Sequence, residues 1–406
     1  MQDTPKGSRL HLALLGRRNA GKSSLINALT NQNTALVSEI PGTTTDPVYK
    51  AMEILPVGPV MLIDTAGIDD EGSLGEMRVK KTLEVLEKTD IALLVVDPQS
   101  GLGDYEEKII GLCRDREIQV ITVFTKSDLV SQSEKQQLEN SYKKDHSLPY
   151  IWVSAFTKEG ILKLKQLLST IKPAEWLAPA IVGDLLEPGA VAVLVVPIDM
   201  AAPKGRLILP QVQTIRDILD HDCLTMVCKE YELKLALETL KKPPALVVTD
   251  SQVFMKVAAD TPPDVALTSF SILMARYKGD LRTLTQGAKA VDSLRPGDKI
   301  LIAEACTHHQ QPDDIGKVKI PRWLRQLVGG ELTIDFANGF KFPANLQEYK
   351  LVVHCGGCML NRKEMLYRIK QVKEKGIPIV NYGVLIAHLH GILPRALAPL
   401  GIYYES

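Results

Sequence analysis

Residues 16–23 have the sequence Gly-Arg-Arg-Asn-Ala-Gly-Lys-Ser and fit the pattern G-x-x-x-x-G-K-S/T. The buried-strand pattern of Leu10–Leu15 comes before this stretch, and the helical pattern of Lys22–Thr30 follows the turn. A strand, a glycine-containing turn and a helix start are the context in which backbone N–H groups and the helix dipole converge on phosphate oxygens. The stretch therefore predicts a nucleotide phosphate site on an α/β fold.

The side chains of this phosphate loop (residues 16–23) have distinct predicted roles. Lys22 is expected to contact the β- and γ-phosphates, and the hydroxyl of Ser23 is expected to bind magnesium. A chance match to a glycine-containing turn is the alternative, and the further motifs count against it. The predicted nucleotide-binding residues in and beside the loop are Gly16, Asn19, Ala20, Gly21, Lys22, Ser23 and Ser24.

Two more motifs belong to the γ-phosphate side of such a site. Residues 64–67 have the sequence Asp-Thr-Ala-Gly at the end of a predicted strand. Asp64 can hold magnesium through water there, and the Gly67 N–H can contact the γ-phosphate. Between this motif and the loop lies Gly-Thr-Thr at residues 42–44, and a threonine in this position can bind magnesium only while the γ-phosphate is present.

Two further motifs indicate that the base is guanine. Residues 125–128 have the sequence Thr-Lys-Ser-Asp after another strand, and the Asp128 carboxylate can accept hydrogen bonds from guanine N1–H and N2–H. Adenine lacks that pair of donors, so GTP is preferred over ATP. After the next strand, a backbone N–H can meet guanine O6. The predicted base-binding residues are Thr125, Lys126, Asp128, Ser154 and Ala155.

Apolar runs and helical patterns alternate along the chain and set the fold class. Near-continuous apolar strands separated by helices predict a parallel sheet covered on both faces. A second region has strand-like segments without site chemistry, and a third is again α/β. We predict an α/β protein with a P-loop GTPase domain at residues 1–172, a second domain at 173–265 and a third at 266–406. The predicted strands of the first domain are Leu10–Leu15, Val60–Asp64, Ile91–Asp97, Gln119–Phe124 and Tyr150–Val153.

Composition counts against two classes of partner, nucleic acid and membrane. Lysine plus arginine (48) equals aspartate plus glutamate (48), and no basic block stands out. This balance argues against a nucleic-acid partner bound by phosphate neutralisation. The polar start lacks the apolar core of a signal peptide, and the longest apolar stretches are too short to span a bilayer. We expect a cytoplasmic protein with no nucleic-acid or membrane partner.

Side chains that bind metals cluster in two short motifs of the third region. Cys-Thr-His occupies residues 306–308, and His-Cys-Gly-Gly-Cys occupies residues 354–358, each after a predicted strand. The C-x-x-C spacing lets two thiolates bind one metal centre. The carboxyl ends of parallel strands would bring both motifs into one crevice. A zinc site and an iron–sulfur cluster are both compatible with this set. The predicted ligands are Cys306, Cys355 and Cys358, with His308 and His354.

The nucleotide motifs resemble those of the translation-factor-like GTPases, especially the Era and MnmE group. In potassium-activated members an asparagine helps to ligate potassium beside the phosphates. The resemblance implies that role for Asn19 and makes Thr44 the magnesium threonine. Two positions depart from the pattern: Thr125 stands where asparagine is usual, and Ile68 stands where Ras-like proteins place a water-orienting glutamine. The implied outcome is slow or potassium-stimulated hydrolysis. The residues predicted to serve hydrolysis are Lys22, Thr44 and Gly67.

The combination of these nucleotide motifs with C-x-H and H-C-x-x-C resembles the FeFe-hydrogenase maturation GTPases over the whole chain. The resemblance implies a 4Fe-4S cluster held by Cys306, Cys355 and Cys358, with His308 or His354 at a loosely held fourth position. It also implies a homodimer formed through the second domain. The implied role is that of a scaffold, which receives a diiron subcluster precursor from two radical-SAM maturases and delivers it to apo FeFe-hydrogenase.

Two rival functions stay open on the sequence alone. One is an RNA-modification GTPase of the MnmE type, against which the neutral charge and the five-residue metal motif count. The other is a GTPase switch with a structural zinc site. The favoured prediction is a GTP-hydrolysing scaffold that uses GTP, magnesium, potassium and a 4Fe-4S cluster.

Overall fold

The computed structural model describes residues 4–30, 47–65, 75–171, 180–197, 207–305, 314–339 and 342–404, with backbone alone at 75–80. The chain divides into two compact units, Met1–Leu177 and Ala178–Ser406. No helix among the residues so described is long and apolar enough to cross a membrane.

The first unit is built on a six-stranded sheet. Its strands are β1 (Leu10–Leu15), β2 (Val48–Ile54), β3 (Gly58–Asp64), β4 (Ile91–Val96), β5 (Gln119–Phe124) and β6 (Tyr150–Trp152). Their order is β2-β3-β1-β4-β5-β6, and every pair is parallel except β2 with β3. The helices are α1 (Lys22–Thr30), α2 (Gly75–Leu86), α3 (Asp104–Arg114), α4 (Gln132–Asp145) and α5 (Ile161–Thr170).

Helices cover both faces of this sheet, as the apolar strand pattern predicts. Alternate residues of β1 point to opposite faces. Leu12 packs in a core with Leu25 of α1, while Leu15 packs in another core with Ile109 of α3. The α/β fold of this unit is therefore confirmed, with a sheet that is parallel except at the pair β2 and β3. Strand β2 was not predicted, because its side chains are mostly half-buried or exposed and lack a continuous apolar run.

The second unit begins with a four-stranded parallel sheet. Its strands are β7 (Val191–Val195), β8 (Leu224–Cys228), β9 (Leu246–Thr249) and β10 (Leu267–Ser269), in the order β10-β9-β7-β8. The accompanying helices are α6 (Leu209–Asp220), α7 (Leu233–Thr239), α8 (Phe254–Asp260) and α9 (Phe270–Lys278).

A second four-stranded parallel sheet follows in the same unit. Its strands are β11 (Lys299–Glu304), β12 (Thr333–Asn338), β13 (Leu351–His354) and β14 (Ile379–Asn381), in the order β12-β11-β13-β14. The helices are α10 (Leu281–Lys289), α11 (Ile320–Val328), α12 (Arg362–Glu374), α13 (Tyr382–Leu389) and α14 (Leu393–Leu397).

One apolar core joins the two sheets of this unit. Val193 of β7 and Ile302 of β11 belong to the same buried cluster. The predicted domain boundary between residues 265 and 266 remains a proposal. Strand β10 lies on the far side of that boundary, although it pairs with β9 of the first of these sheets.

Candidate nucleotide and metal sites

The phosphate loop leaves β1 and enters α1, as its motif requires. Gly16 has a φ of +151°, and a Cβ at this position would lie 2.2 Å from the Val95 carbonyl oxygen, so no other residue fits. The Lys22 side chain is buried, and its Nζ donates to the Gly16 carbonyl oxygen and to that of Arg17 at 2.8 Å. The ammonium therefore lies inside the turn where phosphates would bind.

The Thr125 hydroxyl ties the base-binding loop to the phosphate loop. Its Oγ1 donates to the Ala20 carbonyl oxygen at 2.7 Å and lies 3.2 Å from that of Val96. Thr125 is also 3.4 Å from the position that a Cβ on Gly21 would take. The departure from the usual asparagine therefore leaves a direct link between the two loops in place.

The predicted base-binding loops are held in place by their own hydrogen bonds. Glu159 accepts from Ser127 Oγ at 3.1 Å and, through its carbonyl oxygen, from the Ser154 N–H at 3.0 Å. Lys126 pairs with Asp97 at 2.6 Å. The Asp128 side chain is exposed. A carboxylate that faces solvent beside two braced loops is free to receive a base.

The magnesium side of the site is described in part. Asp64 ends β3 and is 1% exposed, and the neighbouring Thr65 Oγ1 donates to the Leu14 carbonyl oxygen at 2.6 Å. Ser23 faces solvent at the start of α1. Thr44 and Gly67 lie outside the described residues, so their predicted roles stay predictions.

One contact of the phosphate loop was missed by the sequence argument. Arg17 pairs with the buried carboxylate of Glu106 at 2.8 Å, and Glu106 also accepts from the Gly103 N–H at 2.9 Å. This pair fastens the loop to the start of α3. The spacing from Gly103 to Glu106 is a helix-start signature, but nothing in it indicates a partner 89 residues away.

The adjacent parallel strands β11 and β13 end where the cysteine motifs begin. Ala303 is in register with His354, and the Ala305 N–H donates to Cys355 Sγ at 3.2 Å. Cys306 and His308 lie outside the described residues. Since residue 305 already touches the Cys355 sulfur, the chain reaches the position before Cys306 at the same edge of the sheet. Cys355, the residue after β13, thus lies at the sheet edge where the sequence predicts the crevice.

The segment Cys355–Asn361, here called the cysteine loop, carries the other described thiol. Cys355 is buried, whereas Cys358 is exposed. Gly357 has a φ of +58°, a left-handed backbone conformation that glycine adopts without strain, so the turn between the two thiols favours glycine. Burial raises the pKa of the Cys355 thiol, while N–H groups of Ala305 and Gly357 act in the opposite direction.

His354 has both ring nitrogens engaged. Nδ1 lies 2.6 Å from the Cys355 carbonyl oxygen, and Nε2 accepts from Arg368 Nε at 2.7 Å. Burial first, and then the Arg368 charge, lower the pKa of His354 to about 3, so the ring is neutral at physiological pH. Iron ligation by His354 would have to displace one of these contacts.

Three buried polar residues near the cysteine loop were not predicted. Glu304 is 4% exposed and accepts from Tyr382 Oη at 3.2 Å. Arg368 lies 4.4 Å from the centre of the Phe342 ring, and Lys278 donates to two carbonyl oxygens of the loop. Their partners are distant in sequence, so no local pattern signals them.

The described residues fit a metal centre only in part. Among them no group of three or more histidine, cysteine, aspartate or glutamate side chains is arranged to hold a metal. Two of the five predicted ligands, Cys306 and His308, are outside this description. The described residues supply two features that suit a thiolate-bound metal centre: a C-x-x-C pair and an amide N–H directed at a thiol sulfur.

A mostly parallel sheet whose strand ends carry a phosphate loop and a guanine-type loop defines a P-loop GTPase, and residues 11–126 match the 50S ribosome-binding GTPase family. Residues 181–279 match the hydrogen maturase F dimerization domain, and residues 282–399 match the hydrogen maturase F tetramerization domain. The chain belongs to the hydrogen maturase F (HydF) family. The predicted family and fold class are both confirmed.

Curated relatives match the GTPase part of the chain. GTPase Der of Kosmotoga olearia is 38% identical over 165 residues, which is 38% of this chain and 37% of that protein. The tRNA modification GTPase MnmE of Natranaerobius thermophilus is 34% identical over 159 residues, or 39% of this chain and 33% of that protein. The chain thus spans well under half the length of these relatives. Elongation factor SelB of Methanococcus maripaludis is a solved structure with 24% identity, a TM-score of 0.33, and coverage of 42% of this chain and 34% of that one.

Proposed function

We propose that this chain is a potassium-stimulated GTPase and an iron–sulfur scaffold that carries a diiron precursor to apo FeFe-hydrogenase. The two HydF domain matches, which together run from residue 181 to 399, support a role in hydrogenase maturation. Two radical-SAM maturases are the proposed donors of the precursor. GTP with magnesium occupies the first unit, and Cys306, Cys355 and Cys358 hold the 4Fe-4S cluster.

The observation that carries the cluster proposal is the meeting of two strand ends. Cys355 Sγ accepts a hydrogen bond from the residue that precedes Cys306. A thiolate that accepts amide hydrogen bonds is stabilised in the charged form that metals require. When bound, a cluster with three cysteine ligands offers one iron to an exchangeable group. His308 and His354 remain the proposed candidates for that fourth position.

Metal analysis of the anaerobically purified full chain tests this proposal. We expect about four irons per chain, broad visible absorbance and no stoichiometric zinc. Thiolates suit either metal, so only a count of iron and zinc distinguishes the two kinds of site. Cys355→Ser should lose the iron. Cys223→Ser is the matched control, since Cys223 Sγ contacts the carbonyl oxygens of Glu187 and His221, contacts that a hydroxyl can keep. One zinc per chain, retained without iron, would favour the structural-zinc alternative.

We further propose that β8 forms the homodimer interface. It is an edge strand of its sheet, and Leu224 and Val227 are 58% and 44% exposed. An open apolar edge is a template for pairing with another strand, and two copies related by a two-fold axis would pair antiparallel. The match to a dimerization domain over residues 181–279 supports this surface.

The mass of the full chain in solution checks the interface. Val227→Asp should halve the mass of the assembly at micromolar concentration, because a carboxylate would be desolvated on both sides of the symmetric contact. Leu162→Asp, at a 65% exposed apolar position of α5 in the first unit, is the control and should leave the mass unchanged. A Val227→Asp variant with the wild-type mass would place the interface elsewhere.

A further inference from the structure

A buried lysine holds the cysteine loop in place. Lys278 is the last residue of α9 and is 2% exposed. Its Nζ donates to the carbonyl oxygens of Cys358 at 2.8 Å and Leu360 at 3.0 Å. An ammonium tolerates burial only when its donors are satisfied, and these two bonds are made 80 or more residues along the chain. Burial also lowers the pKa of Lys278 to about 8.

An arginine beyond the loop makes the reciprocal contact. Arg362, the first residue of α12, donates through Nη1 to the carbonyl oxygen of Tyr277 and lies 3.4 Å from that of Arg276. These carbonyl groups belong to the last turn of α9, which has no further turn to satisfy them. The helix end therefore binds the cysteine loop through Lys278 and is capped by the residue that follows the loop.

The same helix turn also binds the start of the second unit. Arg276 donates to the carbonyl oxygen of Ala180 at 2.9 Å and to that of Ile181 at 3.3 Å, and it forms a two-pronged pair with Asp184. In sequence, residues 180–184 come directly after the segment that links this unit to the GTPase unit. Arg276 and Lys278 thus make contacts with two distant segments from positions two residues apart.

The body of α9 packs into two apolar cores. Ile272 and Ala275 belong to the core shared by both sheets of the second unit. Phe270 and Leu273 belong to the core on the other side of the first of these sheets. Close-packed cores transmit displacement rather than absorb it. A displacement of residues 180–184 would therefore also displace the contacts that Lys278 makes with the cysteine loop.

We propose that the carboxyl end of α9 is a junction that positions Cys358 through Lys278 and couples the cysteine loop to residues 180–184 through Arg276. This inference rests on the proposed cluster site, because the position of Cys358 matters for function only if the cysteine loop binds the cluster. Lys278 is a positioning residue: it contacts the main chain of the loop and supplies no metal ligand. The junction gives the segment after the GTPase unit a physical route to one cluster ligand.

Hydrogen exchange on the metal-free full chain tests the junction without using the cluster. In Lys278→Met, amides of the cysteine loop should exchange about tenfold faster, the change expected when a charge-assisted hydrogen bond is lost. Lys370→Met, on an exposed position of α12, should match the wild type. Arg276→Gln should speed exchange both at residues 180–184 and in the cysteine loop. Unchanged loop exchange in Lys278→Met would overturn the positioning role, and an Arg276→Gln effect confined to residues 180–184 would overturn the coupling.

Hydrogen exchange in further variants and reconstitution with iron also test the junction. If Lys278→Met does not fold, two other variants take its place in the exchange experiment. Lys278→Gln removes the charge but retains N–H donors, and Arg362→Gln weakens the contact of Arg362 with the end of α9. Both should loosen the loop, and wild-type exchange in both would refute the junction.

Reconstitution with iron and sulfide is a separate experiment. The folded Lys278 variant should keep its iron but show an altered electron paramagnetic resonance signal, whereas an identical signal counts against positioning. Failure of the wild type to bind iron would refute the proposed function, while the exchange result would still decide the junction.

Discussion

The nucleotide site and the cysteine site are both built at the carboxyl ends of parallel strands, but they are held in different ways. In the nucleotide site the contacts run between loops of a single sheet, as from Thr125 to Ala20. In the cysteine site the described loop is anchored from outside by Lys278, a residue of a helix that packs into two cores. A phosphate site made of backbone groups can be complete within one motif, whereas a thiolate site depends on how distant segments are brought together.

The largest expected effect is that each site can be destroyed without the other. Cys355→Ser should remove the cluster, because a hydroxyl is a poor ligand for iron, while GTP hydrolysis stays within a few-fold of the wild type. Lys22→Ala should lower hydrolysis by about a hundredfold or more, since the phosphate charge loses its partner, and should keep its iron and colour. Iron content, hydrolysis rate and activation of apo-hydrogenase are measured side by side on both variants.

Each outcome of that comparison has a definite meaning. A normal cluster in Cys355→Ser would show that the ligand assignment is wrong. Loss of GTP hydrolysis in a folded Cys355→Ser protein would show that the two sites are energetically coupled. Apo-hydrogenase should be activated by neither variant if both sites serve delivery.

Base selection should be the next largest effect, and it concerns the nucleotide site alone. Asp128→Asn removes the charge and one acceptor, so GTP affinity should fall by about a hundredfold, the cost of two charge-assisted hydrogen bonds. Xanthine nucleotides should be favoured instead, because their extra carbonyl accepts from the amide. Titration with both nucleotides checks this, and iron content is the internal control. Unchanged GTP affinity would mean that another group selects the base.

The sequence motifs predicted which residues make up each of the two sites. They did not predict the contacts that connect distant segments within each site. The phosphate loop, the strand before it and α1 were predicted because their signals are local. Lys278 was missed because its partners lie 80 and 82 residues away. Thr125 departs from the family pattern, and that departure alone does not predict its bond to a residue 105 positions away. Strand β2 was missed because an edge strand with half-exposed side chains lacks a buried apolar run.

Potassium stimulation should be a smaller effect that separates the two sites again. Asn19 is exposed in the phosphate loop and has a φ of +61°, a conformation that asparagine and glycine tolerate. We expect hydrolysis to be faster in potassium than in sodium by about tenfold, or roughly 1.4 kcal/mol of barrier. Asn19→Gly keeps the backbone conformation and should abolish the difference. Equal wild-type rates in the two salts at matched ionic strength would refute the role, and iron content should not respond to the salt.

The smallest expected effect tests whether the nucleotide site is held together by its own loops. Thr125→Val keeps the shape of the side chain but removes the donor to the Ala20 carbonyl oxygen. Loss of one such bond costs about 1 kcal/mol, which corresponds to a roughly fivefold weaker affinity for GTP. The free energy of unfolding of the first unit should fall by a similar amount. Thr170→Val is the matched control, because its hydroxyl donates to the Leu167 carbonyl oxygen on an exposed part of α5. Calorimetric titration with GTP and denaturant unfolding of both variants measure the two quantities. A Thr125→Val protein with unchanged GTP affinity would show that the bond does not brace the phosphate loop, and a lower iron content would show that the nucleotide site is not independent of the cysteine site.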